Sequence, residues 1–279
     1  MNILKLINEG AGKLKAMGIK SSQLDAEIFL SKILKKERVE LLTNFNLLIK
    51  KNQILEFNNL IRRRALKEPA AYILREKEFW GKTFEIDQNT LIPRPETELM
   101  VEKLVKIYRR KNIFVLDIGT GSGCILISLL HELRKSKGVG IDISNKALNI
   151  AKKNAKNQNL SSRIKFFSTP ISNFFNKKFD LIVSNPPYIE RRLIKFLQED
   201  IRKYEPKIAI DGGNDGLDVI KKVIYKANEI LKLNGLLALE IGNGQFVKVA
   251  NVLKKNNFRI KEIIKDYRDN IRCIIAINN

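Results

Sequence analysis

A chain of 279 residues with 44% apolar and 29% charged residues can bury a sizeable core, as one domain of ordinary size plus a smaller one, and is neither disordered nor fibrous. Its 52 basic and 30 acidic residues give a net charge of +22, which draws a protein toward RNA, DNA or acidic proteins. Lys, Ile and Asn are abundant throughout, however, as an AT-rich genome would make them, so charge alone does not choose a partner.

The first thirty residues mix Lys, Asn and Glu with Ile and Leu and do not read as a signal peptide, and no apolar run is long enough to span a bilayer. From Met1 to about Arg75 apolar residues recur at spacings of three and four: Ile3, Leu4, Ile7; Leu24, Ile28, Leu30; Leu41, Leu42; Leu55, Leu60, Ile61. That series predicts a small all-helical domain over residues 1–75.

Between residues 76 and 95 the pattern becomes short apolar pieces broken by Gly81 and by Asp87-Gln88-Asn89, which predicts a β-hairpin linker. Trp80 reads as a domain-packing residue. A second domain follows over 96–279. It begins with a helix from about Glu96 to Arg110 and continues with strands at Ile113 to Ile118, Gly138 to Asp142, Ile164 to Phe167, Phe179 to Ser184, Gly235 to Ile241, Phe258 to Ile264 and Cys273 to Ile277. Helical stretches lie between most of them, so the fold class is α/β with a doubly wound sheet. The two cysteines, Cys124 and Cys273, and the single histidine, His131, have no ligand-like spacing; no metal site is expected and a reducing cytoplasm fits.

Phe114 to Ile118 runs as a buried strand into Gly119-Thr120-Gly121-Ser122-Gly123, followed by a helix from Cys124 to Leu133. Glycines let a backbone approach a ligand, and a helix start offers free N–H groups. The Gly-x-Gly-x-Gly spacing is not the one associated with dinucleotide pyrophosphates. The next strand ends on Asp142, a carboxylate able to accept from both ribose hydroxyls of an adenosine or to cap the following helix. Asp117 has a similar alternative, a contact within the turn. Together the two strand ends present what S-adenosylmethionine binding needs.

The fourth strand delivers Asn185-Pro186-Pro187-Tyr188 at its C-terminal end, where open α/β sheets carry their sites. Two prolines stop the strand and leave carbonyls free of partners. An amide or exocyclic amine nitrogen is a weak nucleophile because its lone pair is delocalised, so methylating it requires positioning. The side-chain oxygen of Asn185 and the carbonyl of Pro186 can accept its two N–H groups, and Tyr188 can stack on the planar substrate group. No strong base is at hand, so the proton is expected to leave to water.

These motifs resemble class I methyltransferases that act on planar nitrogens. Glu68-Pro69-Ala70-Ala71-Tyr72-Ile73, Glu78-Phe79-Trp80-Gly81, Leu91-Ile92-Pro93-Arg94-Pro95-Glu96-Thr97-Glu98, Ser184 to Ile189, Tyr204-Glu205-Pro206 and Asp211-Gly212-Gly213-Asn214-Asp215-Gly216-Leu217 are similar to the release-factor glutamine methyltransferases, nearly from end to end. The resemblance implies a seven-stranded sheet with the last strand antiparallel, and a helical domain that recognises substrate. It implies methyl transfer from S-adenosylmethionine to the glutamine N5 of the Gly-Gly-Gln motif in bacterial release factors, by a cytoplasmic monomer needing neither membrane nor nucleic acid. The implied cofactor residues are Gly119, Thr120, Gly121, Ser122, Gly123, Asp142 and Asn185. The implied substrate residues are Asn185, Pro186, Pro187 and Tyr188, with Asn185, Pro186 and Tyr188 catalytic.

One stretch departs from the family: Phe167-Ser168-Thr169-Pro170-Ile171 lacks the acidic residue usual near adenine, so Thr169, backbone, Pro170 and Ile171 must serve there and weaker cofactor binding is expected. Pro93 to Glu98 reads equally as support for the site or as a helix start. A nucleic-acid amine methyltransferase shares the Asn-Pro-Pro-Tyr turn, but no basic-aromatic domain for reading a base is visible. A non-catalytic RNA-binding protein on this fold would have no use for the glycines, Asp142 and Asn185.

Overall fold

A computed structural model of the chain describes residues 1–44, 46–175 and 178–279. The chain divides into two compact units, residues 1–75 with 198–204, and residues 76–197 with 205–279.

The first unit holds α1 (Ile3–Ala16), α2 (Ser22–Leu34), α3 (Arg38–Thr43), α4 (Lys51–Ala65) and α5 (Ala70–Leu74). Asn2 caps α1 by accepting from the Lys5 N–H at 3.0 Å, and Lys13 and Lys15 sit in its last turn, where cations are favoured. Ile3, Leu6, Ile7 and Leu14 form its buried stripe. A Cβ on Gly10 would lie 2.6 Å from the Phe57 ring, so this glycine lets α1 and α4 touch. Leu4, Leu24 and Leu55, placed by spacing on the apolar faces, are exposed instead. On α2 the buried face is Asp25, Ala26, Glu27, Phe29 and Leu30. Its two carboxylates hide the stripe from a reading of apolar residues, because each is paired: Asp25 with buried Arg64 at 2.7 Å and Glu27 with half-exposed Arg38 at 2.9 Å.

The second unit opens with a hairpin of β1 (Glu76–Phe79) and β2 (Lys82–Glu85), whose turn residues Trp80 and Gly81 both have positive φ. Phe79 and Phe84 are buried in this unit's core, and the Glu85 N–H donates to Asn154 Oδ1 at 2.7 Å. The hairpin is therefore part of the second unit. Trp80 packs there too, its Nε1–H donating to Glu132 at 3.1 Å.

Then follow α6 (Pro95–Tyr108), β3 (Phe114–Ile118), α7 (Cys124–Glu132), β4 (Lys137–Asp142), α8 (Asn145–Asn157), β5 (Ile164–Ser168) and β6 (Phe179–Ser184). A short helix, α9 (Glu199–Tyr204), groups with the first unit, where the Tyr204 hydroxyl donates to the Leu66 carbonyl at 2.9 Å. The chain closes with α10 (Asp218–Ile230), β7 (Leu231–Glu240), α11 (Phe246–Lys255), β8 (Phe258–Lys265) and β9 (Ile271–Asn278).

The seven strands lie in the order β5-β4-β3-β6-β7-β9-β8, parallel except for β9, which runs antiparallel to both β7 and β8. One face is covered by α6 and α7 through Met100, Leu104, Leu126 and Leu130, the other by α10 and α11 through Ile220, Ile224 and Leu253. Strand order reverses between β3 and β6, which opens a crevice at their carboxyl ends. Among the described residues no helix is long and apolar enough to cross a membrane, and no cluster of metal-ligating side chains forms.

Candidate active site

At the end of β3, Gly119 (φ +73) and Gly121 (φ +54) turn the chain toward α7. A Cβ on Gly119 would meet nothing within 4 Å. Glycine is needed there for the left-handed backbone, and the open side is left to a ligand. Gly123 does a different job: a Cβ on it would strike Ile127 at 2.9 Å and Ala151 at 3.3 Å, so it lets α7 start against α8.

The Gly119 and Thr120 N–H groups donate to the Ile141 carbonyl at 2.9 and 3.0 Å, and the Gly121 N–H donates to Asp142 Oδ2 at 2.9 Å. Asp142 Oδ1 accepts from the Ser144 N–H at 2.9 Å, while the cap of α8 is Ser144, whose Oγ accepts from Ala147 at 3.2 Å. Each Asp142 oxygen so keeps a lone pair for a further donor. Burial pushes its pKa up, and the Ser144 and Gly121 N–H groups oppose the shift. Asp117 is fully buried and holds the Thr120 hydroxyl at 2.7 Å; burial pushes its carboxyl up to about 7 against that bond.

On β6, the Ser184 hydroxyl donates to the Ile118 carbonyl at 2.7 Å, fastening the two strand ends together. Half-buried Asn185 follows, and its Nδ2 donates to Thr97 Oγ1 at 3.3 Å. Thr97, buried in the first turn of α6, donates to Glu240 Oε2 at 2.5 Å. Glu240 ends β7 and also accepts from the Tyr188 hydroxyl at 3.3 Å. Burial pushes the Glu240 carboxyl up to about 7, opposed by Thr97, Tyr188 and Arg272. The Tyr188 hydroxyl is raised as well, by burial and by the Glu240 charge.

The turn is gripped from its far side too. Gln245 Nε2 donates to the Tyr188 carbonyl at 2.9 Å and to that of Gly216 at 3.3 Å, while its Oε1 accepts from the Gly242 N–H at 2.8 Å. Ile189 and Gly212 pair with Ile210 and Ile189 at 3.1 and 2.9 Å, and a Cβ on Gly216 would stand 2.5 Å from the Tyr188 oxygen. The Asp211 to Leu217 segment is a backbone cradle for the turn.

A cleft of about 930 Å³ joins the two strand ends. Gly119, Thr120, Gly121, Ser122, Asp142, Asn185 and Pro187 line it, as do Thr169, Pro170 and Ile171 beyond β5. Gly123, Pro186 and Tyr188 do not. Tyr188 was expected to stack on substrate. Its ring packs against the hydrophobic layer under the sheet end and its hydroxyl donates to Glu240. Pro186 is buried, though its carbonyl receives no backbone hydrogen bond among the described residues.

Sequence reading passed over Glu240 and Gln245. A lone carboxylate ending the apolar run Leu236 to Leu239, beside the strand that carries the Asn-Pro-Pro-Tyr turn, was the available signal for Glu240. For Gln245 there was none. Thr97 reads from sequence as either support or capping; α6 is capped at Arg94 with no side-chain bond, and Thr97 faces Asn185 and Glu240. Arg94 lines the cleft and is held by Glu205 at 2.5 Å.

Residues 5–74 match the PrmC N-terminal domain and residues 95–202 the methyltransferase small domain. The release factor glutamine methyltransferase of Clostridium botulinum is 39% identical over 279 residues, spanning 98% of this chain and 99% of that protein. The one from Buchnera aphidicola subsp. Acyrthosiphon pisum is 38% identical over 276 residues, 99% of this chain and 98% of its own length. Among solved structures, the hMettl16 catalytic domain superposes with a TM-score of 0.58 at 20% identity, covering 79% of this chain and 82% of that one. Ribosomal protein L11 methylase from Lactobacillus delbrueckii subsp. bulgaricus gives 0.51 at 21%, covering 68% and 82%. At such identities these two likenesses are of fold.

Proposed function

This chain belongs to the release factor glutamine methyltransferase family, and from that premise we propose that it methylates the side-chain amide nitrogen of the glutamine in the Gly-Gly-Gln motif of bacterial release factors, with S-adenosylmethionine as donor. The Asn185 side-chain amide carries this reading. It stands at the switch point of the sheet, on the cleft, with its Nδ2 already engaged by Thr97.

The cleft suits the donor on its own geometry. Gly119 and Gly121 open a Cβ-free backbone wall onto it, the Asp142 oxygens keep lone pairs for ribose hydroxyls, and Ile143, Pro170 and Ile171 offer an apolar surface for adenine. S-adenosylmethionine supplies an electrophilic methyl group on a sulfonium.

The chain's own residues supply position. Asn185 Oδ1 accepts one N–H of the glutamine amide and the Pro186 carbonyl the other, turning the nitrogen toward the methyl group and favouring the charge that develops on it. Tyr188 acts from behind, tying the turn to Glu240. Glu240 does not line the cleft, and the acidic groups that do, Asp142, Asp211 and Glu229, are carboxylates and weak bases, so the proton leaves to water. In this reading the helical unit of residues 1–75 docks the release factor, and a single chain in the cytoplasm acts without membrane or nucleic acid.

Labelled S-adenosylmethionine is offered with a purified release factor, the same factor with its Gly-Gly-Gln glutamine replaced, and duplex DNA or ribosomal RNA. Label on the intact factor alone is the expected result. Label on nucleic acid would keep the Asn185 chemistry and overturn the substrate.

A further inference from the structure

Asparagine oxygen and nitrogen are nearly the same size, so shape does not decide which one faces a substrate; hydrogen-bond polarity does. Here it is decided outside the cleft. In its ionised form, which the Thr97 and Tyr188 hydroxyls and Arg272 favour against burial, the Glu240 carboxylate only accepts, so the single hydroxyl hydrogen of Thr97 is then committed to Oε2, 2.5 Å away. Toward Asn185 the Thr97 oxygen can then only accept, which it does from Nδ2 at 3.3 Å. The Asn185 oxygen is what remains for the cleft.

We propose that Thr97 and Glu240 are positioning residues that fix the polarity of the Asn185 amide, so that it presents an acceptor to the N–H groups of the nucleophile. This rests on the glutamine-amide reading above. Reversed, Asn185 would point N–H donors at the N–H donors of the substrate and repel the orientation that transfer requires.

Three further observations fit. Thr97 has no capping duty, since α6 is capped at Arg94. Glu240 is 3% exposed, an expensive place for a carboxylate with no task, and Arg272 favours its charged form while Glu96 opposes it. Its other oxygen holds the Tyr188 hydroxyl at 3.3 Å, so one carboxylate fastens the first and last residues of the Asn-Pro-Pro-Tyr turn.

The full-length protein and its Thr97→Val, Thr97→Ser, Glu240→Gln and Thr97→Val/Glu240→Gln variants are assayed on a purified release factor, with S-adenosylmethionine affinity by calorimetry and melting temperature alongside. Valine keeps the shape and removes the relay: kcat should fall roughly 100-fold with cofactor affinity unchanged, and Thr97→Ser should restore it. A Thr97→Val kcat within about twofold of the parent, a defect confined to cofactor affinity, or a serine variant as poor as the valine one, each overturns the proposal. Should Thr97→Val fail to fold because it leaves a buried carboxylate unpaired, the double variant against Glu240→Gln alone makes the same comparison, since glutamine is neutral.

The lock also has a readout that needs no substrate. In protein carrying nitrogen-labelled asparagine, the Asn185 side-chain N–H protons should show nuclear Overhauser contacts to the Thr97 methyl group. Their absence overturns the lock whatever the assay gives, whereas their presence in a protein inactive on release factor would overturn the substrate and leave the lock standing.

Discussion

The two halves of the cleft are built in different ways. The glycine turn after β3 is held by partners close in sequence or on the adjacent strand: Ile141, Asp142 and its own Asp117. The Asn-Pro-Pro-Tyr turn after β6 has almost no local support. Thr97 comes from α6, Glu240 from the end of β7, Gln245 from the start of α11, and the cradle from the 211–217 segment. A site that only has to admit a ligand can be written in a short stretch of backbone. One that must aim a side-chain amide draws its restraints from across the unit.

That contrast predicts an asymmetry between binding and rate. Asn185→Ala should cut kcat by about 1000-fold or more while cofactor affinity stays close to the parent, because the lost interaction is made to the nucleophile. Single-turnover transfer with calorimetry on the same preparation measures both. A large loss of affinity would mean that this residue belongs to the first half of the cleft as much as to the second.

Each half also contains one fully buried carboxyl pushed up to about 7, Asp117 and Glu240, against ordinary values of 3.8 and 4.5. The folded protein then binds more protons than the unfolded chain across the interval between, so stability is greatest below about pH 4 for these two groups and declines as pH rises through 7, by on the order of 3 kcal/mol each. Melting temperature between pH 5 and 8 should fall in the parent and flatten in part in both Asp117→Asn and Glu240→Gln. A parent curve rising over that range would show that both groups are ionised throughout.

Asp142→Ala tests the local half. It removes the acceptor of the Gly121 and Ser144 N–H groups as well as the carboxylate facing the cleft, and should weaken S-adenosylmethionine by roughly 30-fold, about 2 kcal/mol, with kcat at saturation little changed. An unchanged dissociation constant would reduce Asp142 to a support of the turn.

The same contrast explains what could be read in advance. The doubly wound sheet with its last strand antiparallel follows from the alternation of apolar strands and helices together with the family resemblance, and the helical character of residues 1–75 follows from spacing. The face of α2 does not, because Asp25 and Glu27 are buried on ion pairs whose partners lie elsewhere. In the cleft, the glycines and Asp142 are legible since their work is local. The Tyr188 bond to Glu240 was not legible, because that partner lies 52 residues away, at the end of a strand that otherwise reads as core. The Gly212 and Gly216 positions carried a visible pattern, but its reason, close approach to the backbone of Tyr188, exists only in the folded chain.

Gln245 sharpens the contrast at its weakest point. Its side chain makes three bonds, two of them to carbonyls, and all three groups are backbone; it does not line the cleft. Gln245→Ala leaves the Tyr188 and Gly216 carbonyls without that donor, yet both lie in segments also held by the Ile189, Ile210 and Gly212 ladder. The loss should therefore be small, about 1 kcal/mol of stability and roughly fivefold in kcat, with cofactor affinity untouched. Gln245→Glu separates donor from shape: it keeps the acceptor for Gly242 but sets a carboxylate against two carbonyl oxygens, so it should cost more than alanine does. If glutamate proved the milder of the two, the carbonyl tether would contribute nothing, and the turn would rest on Glu240 and the glycine cradle alone.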